Sequence, residues 1–233
     1  SMGDSPPVRF LTGFSAVRVA EEFRDNLNKD VLFFIDNMYR FAQAGNELST
    51  LMNTIPSEDG YQPTLGSEMA DIHERLISSR DNFITTVEAI YVPADDILDQ
   101  GVQAIFSYLD SSVVLSRDVY MEGRLPAVDM LSSGSSALDP ETVDPKHYSV
   151  SLKAKSLLKE AESLERIVSL VGESELSDAD KVKYKRAQKL KSYMTQSFYV
   201  VEDQTGREGK FVPLATTVED VDSILDGKYD DIS

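Results

Sequence analysis

The run Val31-Leu32-Phe33-Phe34-Ile35 is apolar throughout and stops abruptly at Asp36-Asn37. An acid at the carboxyl end of a strand can hold magnesium, usually through water, because a hard divalent cation takes oxygen ligands and keeps part of its hydration shell. The same position also suits a turn former or a helix cap, and that is its commoner use. Phosphate chemistry further needs a glycine-rich cradle of backbone N–H groups and a Lys. Here the two Gly-Lys pairs, Gly209-Lys210 and Gly227-Lys228, are followed by Phe211 and Tyr229 where Ser or Thr is required, so the chain has no P-loop. The serine tract around Ser135 and Ser136 lacks a G-x-S-x-G elbow and reads as linker. Asp95-Asp96 reads as a polar loop contact or a helix cap.

Composition removes whole classes of chemistry. The absence of cysteine excludes disulfides, thiol nucleophiles and thiolate metal sites. His73 and His147 lie far apart, which excludes a histidine-rich metal site and leaves both as structural residues. With 23 Lys+Arg against 40 Asp+Glu, the net charge of −17 opposes nucleic-acid binding. An anionic ligand would have to be held by a locally organised site against that field. No apolar run reaches the roughly 18 residues of a membrane span, and no signal core is present. Ser1-Met2-Gly3 reads as a cloning remnant within a leading segment 1–5, ahead of an internal start.

The elements that must position these residues follow from periodicity. Pro6-Pro7 is expected to block helix, with a first helix over about Ser15 to Asn26. The unbroken run 31–35 predicts a strand buried on both faces of a parallel sheet. Helices are expected over Met38 to Met52 and Glu68 to Ser78, and a second strand over 85–92, closed by Pro93. Val113-Val114-Leu115 is a third strand candidate. Strands alternating with helices place functional residues just beyond the strands' carboxyl ends. After a boundary within 131–146 the pattern turns helical: 150–171 ending at Gly172 in a left-handed cap, a helix from a Ser177/Asp180 capping box to about Met194, and a short last helix capped by Thr217. Residues 198–214 read as a turned loop. Lys181, Lys183, Lys185, Arg186, Lys189 and Lys191 make one basic helix with a solvated face, and Asp222, Asp226, Asp230 and Asp231 make a solvated acidic tail.

Several ordered motifs then carry a resemblance. The segment 31–41 with Gln43-Ala44-Gly45 resembles the Walker B region of the beta subunit of F-type ATP synthases. Ile55-Pro56-Ser57, Gly60-Tyr61-Gln62-Pro63-Thr64-Leu65 and Ala89-Ile90-Tyr91-Val92-Pro93-Ala94-Asp95-Asp96 continue it in order. So do Val114-Leu115-Ser116-Arg117, Pro126-Ala127-Val128-Asp129, His147-Tyr148 and Glu175-Leu176-Ser177. The resemblance covers nearly the whole chain. It implies the second half of a catalytic subunit, whose barrel, P-loop and catalytic glutamate would lie upstream of Pro6. It also implies a fold in which the carboxyl-terminal part of a RecA-like α/β domain, residues 6–140, precedes a helical domain, residues 141–233.

The same resemblance implies roles. Asp36 would bind magnesium through water, Asn37 and Arg40 would lie near the transferred phosphate, and Tyr91 beside the phosphate and magnesium region. Phe198 would form part of the adenine pocket, and Tyr148 would reach the non-catalytic nucleotide on a neighbouring alpha subunit. Asp95 and Asp96, and the loop carrying Glu175, Leu176, Ser177, Asp178 and Asp180, would touch the rotating central stalk, the gamma subunit. Two pocket positions depart from the pattern: Leu125 stands where the family has an adenine-stacking tyrosine, and Gln204 replaces a second aromatic. Ser136 stands where an arginine is usual. Each lost ring removes roughly 0.5–1.5 kcal/mol of stacking. The implied function is ATP synthesis or hydrolysis with ATP/ADP and Mg2+, coupled to proton or sodium transport on the cytoplasmic face of a membrane, with this piece inactive alone. A degenerate paralogue that only docks to other subunits is the alternative.

Overall fold

The computed structural model describes residues 3–232, so Ser1 and Met2 of the expected leading remnant lie outside them. The chain divides into two compact units, one running to Leu109 and one starting at Asp110.

In the first unit, helix α1 spans Pro6–Asp25, strand β1 Val31–Asp36, helix α2 Met38–Leu51, helix α3 Leu65–His73, strand β2 Ile84–Ala89 and helix α4 Gln100–Phe106. The two prolines start α1 instead of blocking it. They occupy its first turn, where an amide hydrogen has no intrahelical acceptor and a fixed φ near −65° already suits the helix. Strands β1 and β2 pair in parallel, from Val31 opposite Ile84 to Asp36 opposite Ala89.

β1 alternates in burial, which corrects the expectation of a strand covered on both faces. Val31, Phe33 and Ile35 pack against the core built by the helices, whereas Leu32 and Phe34 are 60% and 67% exposed. An unbroken apolar run does not by itself say how many of its faces are covered. The core joins Val17, Met38, Phe41, Met69, Ile72 and Ile105. At its edge Phe10, Phe14 and Phe41 stack and cross at centroid distances of 4.8 to 5.5 Å. Gly13 permits that approach of α1 to α2, since a Cβ there would sit 2.8 Å from Phe41 Cδ2.

In the second unit come strand β3 Ser111–Ser112, helix α5 Arg117–Met121, strand β4 Gly134–Ser135, helix α6 Pro145–Val171, helix α7 Asp178–Tyr193, the short helix α8 Glu202–Thr205 and helix α9 Leu214–Leu225. Val113-Val114-Leu115 does not add a third parallel strand. β3 pairs antiparallel with β4, and Leu115 makes a single antiparallel bridge to Val128. α6, α7 and α9 pack around Val150, Leu158, Leu190, Val221 and Ile224.

Ser177 caps α7 as read: its Oγ accepts the Asp180 N–H at 3.2 Å and donates to Asp180 Oδ2 at 2.7 Å. Gly172 has the positive φ expected, 91°, but its ψ of 159° is extended and so not the left-handed cap. Thr217 lies inside α9, which begins after Pro213, because proline can precede a helix without needing a donor.

The basic helix and the acidic tail are not simply solvated. Lys183 meets Glu160 at 2.7 Å, Lys191 meets Glu165 at 2.6 Å, and Arg186 binds Asp230 through Nε and Nη2. Asp222 pairs with Lys146 at 3.3 Å. Opposite charges separated in sequence are brought face to face where α6, α7 and α9 pack on one another.

Candidate functional site

β1 delivers Asp36 to its carboxyl end, and the chain turns directly into α2. Asn37 makes that turn: as N-cap of α2 its Oδ1 accepts the Tyr39 N–H at 2.9 Å. The same oxygen accepts the Tyr91 N–H at 3.3 Å. One amide therefore joins the end of β1, the start of α2 and the segment after β2. The Asp36–Asn37 peptide bond is cis. Tyr91 is 57% exposed, and its ring lies 5.8 Å from that of Tyr39.

A cavity of about 300 Å³ opens here, lined among others by Arg9, Thr12, Asp36, Asn37, Arg40 and Phe41. Among the described residues no side chain bonds to the Asp36 carboxylate or the Arg40 guanidinium. The four residues that the resemblance assigns to the phosphate side, Asp36, Asn37, Arg40 and Tyr91, thus share one end of the first unit. Arg9 was missed by the sequence reading. It lines the cavity from α1 and forms an ion pair with Glu47 of α2; a basic residue one helix upstream carries no local signal of that role.

Magnesium fits this site only in a limited sense. Among the described residues no three His, Cys, Asp or Glu side chains come together. Asp36 offers one hard oxygen donor, suited to holding the ion through water with other ligands supplied by a phosphate.

Beyond β2 the chain makes a tight turn, with Ala94 and Asp95 at positive φ of 52° and 60°. Asp96 Oδ1 accepts the Leu98 N–H at 2.9 Å. Asp99, also absent from the sequence reading, caps α4 and accepts the Tyr61 hydroxyl at 2.7 and 2.9 Å. That hydroxyl in turn lies 2.8 Å from Tyr39 Oη. Burial, together with the bonds to Tyr39 and Asp99, pushes Tyr61 far above the ordinary tyrosine range.

The residues that the resemblance assigns to an adenine pocket lie in the second unit. Leu125 is 40% exposed and Phe198 is 45% exposed. The Gln196 N–H donates to the Leu125 carbonyl at 3.1 Å, which ties the two segments. Gln204 sits exposed on α8 in the same loop. Tyr148 occupies the first turn of α6 and is half-buried. In the loop between α6 and α7, Glu175 closes a short 3-10 turn and Leu176 is buried in its own unit at 6% exposure. Asp178 begins α7, and Ser177 and Asp180 are engaged in its cap.

Residues 1–135 match the family model described as the ATP synthase alpha/beta family, nucleotide-binding domain. Residues 136–232 match the C-terminal domain of V and A type ATP synthase. Among solved structures, the chain is similar to the ATP synthase subunit NeqB from Nanoarcheaum equitans, at 26% identity and a TM-score of 0.81. That match covers 97% of this chain and 55% of NeqB, so the chain spans little more than half the length of that relative. No described helix is long and apolar enough to cross a membrane. With an α/β nucleotide-binding part matched over residues 1–135 and a helical carboxyl-terminal part after it, the chain belongs to the ATP synthase alpha/beta family.

Proposed function

We propose that this chain supplies the magnesium and phosphate side of a nucleotide site in a rotary ATP synthase subunit of the catalytic beta kind, acting on ATP and ADP. The observation that carries the reading is Asp36 at the end of β1 with Arg40 in the first turn of α2, both without side-chain partners among the described residues, set by the Asn37 bridge around one cavity. Asp36 would hold magnesium through water, and magnesium when bound would neutralise charge on the phosphates. Arg40 would orient a phosphate oxygen, and Asn37 would fix the distance between the two strand ends. The partners in this reading are alpha subunits and the central gamma stalk, the latter reached by Asp95, Asp96 and the 174–180 loop. Coupling to proton or sodium transport would belong to a membrane sector, with this subunit peripheral on its cytoplasmic side.

A second reading is a non-enzymatic paralogue that docks to neighbouring subunits. Leu125 and Gln204 in place of pocket aromatics favour it, as does the V and A type match of the carboxyl-terminal part.

The test is to read the parent reading frame and to measure Mg-ATP binding and hydrolysis by the polypeptide it encodes, with this chain alone as the control. The catalytic reading expects a P-loop upstream of Pro6, saturable Mg-ATP binding, and a loss of about tenfold or more in magnesium-dependent affinity with Asp36→Asn, equivalent to about 1.4 kcal/mol. This chain alone should give no turnover. Absence of the P-loop, or binding indifferent to Asp36→Asn, would leave the docking reading.

A further inference from the structure

Away from that cavity, the first unit buries a histidine and a glutamate against one another. His73 ends α3 and Glu88 lies in β2, with side chains only 7% and 2% exposed. The Nδ1 of His73 is 2.7 Å from the Met69 carbonyl, which can only accept, so Nδ1 carries a hydrogen. Nε2 faces Glu88 Oε2 at 3.2 Å. With Nδ1 already protonated, a neutral imidazole would turn a lone pair toward the carboxylate. The contact is a hydrogen bond only if one more proton lies between Nε2 and Oε2, on either atom. The other carboxylate oxygen, Glu88 Oε1, is buried with no hydrogen-bond partner among the described residues. Removing that single proton would therefore leave Glu88 with no donor at either oxygen, in a place where an unpaired buried charge is costly.

We propose that His73 and Glu88 form a one-proton latch that ties α3 to β2, and that losing this proton loosens the carboxyl end of β2, where Tyr91 is held to Asn37. The surroundings leave the pair to itself. The Tyr108 ring stacks on the imidazole at 4.8 Å and 11°, covering one face. Arg75, two residues on, is turned away to Glu21 of α1 at 2.7 Å, and Asp71 and Glu74 are exposed. Across the sheet Glu88 stands opposite Ile35, and Asp36 is on the exposed face. Burial alone would lower the His73 pKa, but the Glu88 hydrogen bond and charge, with the Met69 carbonyl, outweigh it and raise it. The latch is therefore closed below the ordinary histidine value of about 6.5 and opens as pH rises through a value above it. It does not depend on nucleotide, and it stands or falls separately from the proposed function.

The experiment is nitrogen-15 NMR of the imidazoles across pH 5.5 to 9, with His147→Gln to separate the other histidine. Urea unfolding is followed over the same range at amides of β1 and β2. In the intact chain Nδ1 of His73 should stay protonated throughout, Nε2 should lose its proton with a midpoint above 6.5, and the unfolding constant should rise by up to about tenfold per pH unit between about 6.5 and that midpoint and level off above it. In Glu88→Gln an amide hydrogen can meet the Nε2 lone pair without a titrating proton, so the alkaline rise should vanish. A His73 midpoint at or below 6.5, a titrating Nδ1, or the same unfolding profile in both proteins would overturn the latch. If Glu88→Gln does not fold, the imidazole titration of the unsubstituted chain decides alone.

Discussion

Tyr61 shows how much a single hydroxyl can be asked to do. It is 8% exposed, donates to Asp99 and lies within hydrogen-bond reach of Tyr39, so it links α2 to the cap of α4. Removing a buried partner and leaving polar groups unmet costs about 1–3 kcal/mol. Tyr61→Phe should lower the stability of the first unit by that amount in urea unfolding. Tyr39→Phe should cost less, because Tyr61 keeps Asp99; equal losses would mean that the Tyr39–Tyr61 contact, and not the bond to Asp99, carries the cost. The Gly60-Tyr61-Gln62-Pro63 motif is visible in the sequence, but Asp99 lies 38 residues away, and nothing local announces the pair. Asp36, Asn37, Arg40 and Tyr91 stand out as candidates in the sequence because they sit in contiguous motifs. Arg9 was not, since its place in the cavity depends on how α1 crosses α2.

At the level of elements, α6, α7 and α9 owe their mutual placement to an apolar seam and to charges matched across it. Helical periodicity marked the seam. It could not mark the charge partners, because a 3.6-residue repeat says which face a side chain takes but not what stands opposite. Arg186 and Asp230 illustrate the difference, being 44 residues apart in the chain and joined by Nε at 2.9 Å. The Arg186 hydrogen bond holds the Asp230 carboxyl below the usual range, with burial working against it. This pair therefore stabilises above the ordinary aspartate value of about 3.9, and its contribution is lost as pH falls through the lower folded-state value. Asp230→Asn should remove that component from acid unfolding of the second unit followed by circular dichroism. Both groups are partly exposed, so the effect should also shrink in high salt.

For the whole molecule, charge and apolar surface pull in opposite directions. A net charge of −17 keeps copies apart. The outer face of β1 and β2 meanwhile presents Leu32, Phe34 and Val87, each at least half exposed. Raising ionic strength shortens the Debye length from about 30 Å at 0.01 M to about 8 Å at 0.15 M, which screens the repulsion without weakening apolar contact. Sedimentation velocity should therefore show self-association that grows with salt and is suppressed by Phe34→Lys. Association that instead falls with salt would assign it to ion pairs. Residue types, the order of the motifs and the helical repeats established the family resemblance, the α/β-then-helical layout and the strand-end acid, because these depend on neighbours along the chain. The tertiary structure decided that β1 is covered on one face only, that the basic helix is paired, and that Arg9, Asp99 and the His73–Glu88 contact matter. Each of these rests on a distant segment folding back, and no local pattern encodes which one will arrive.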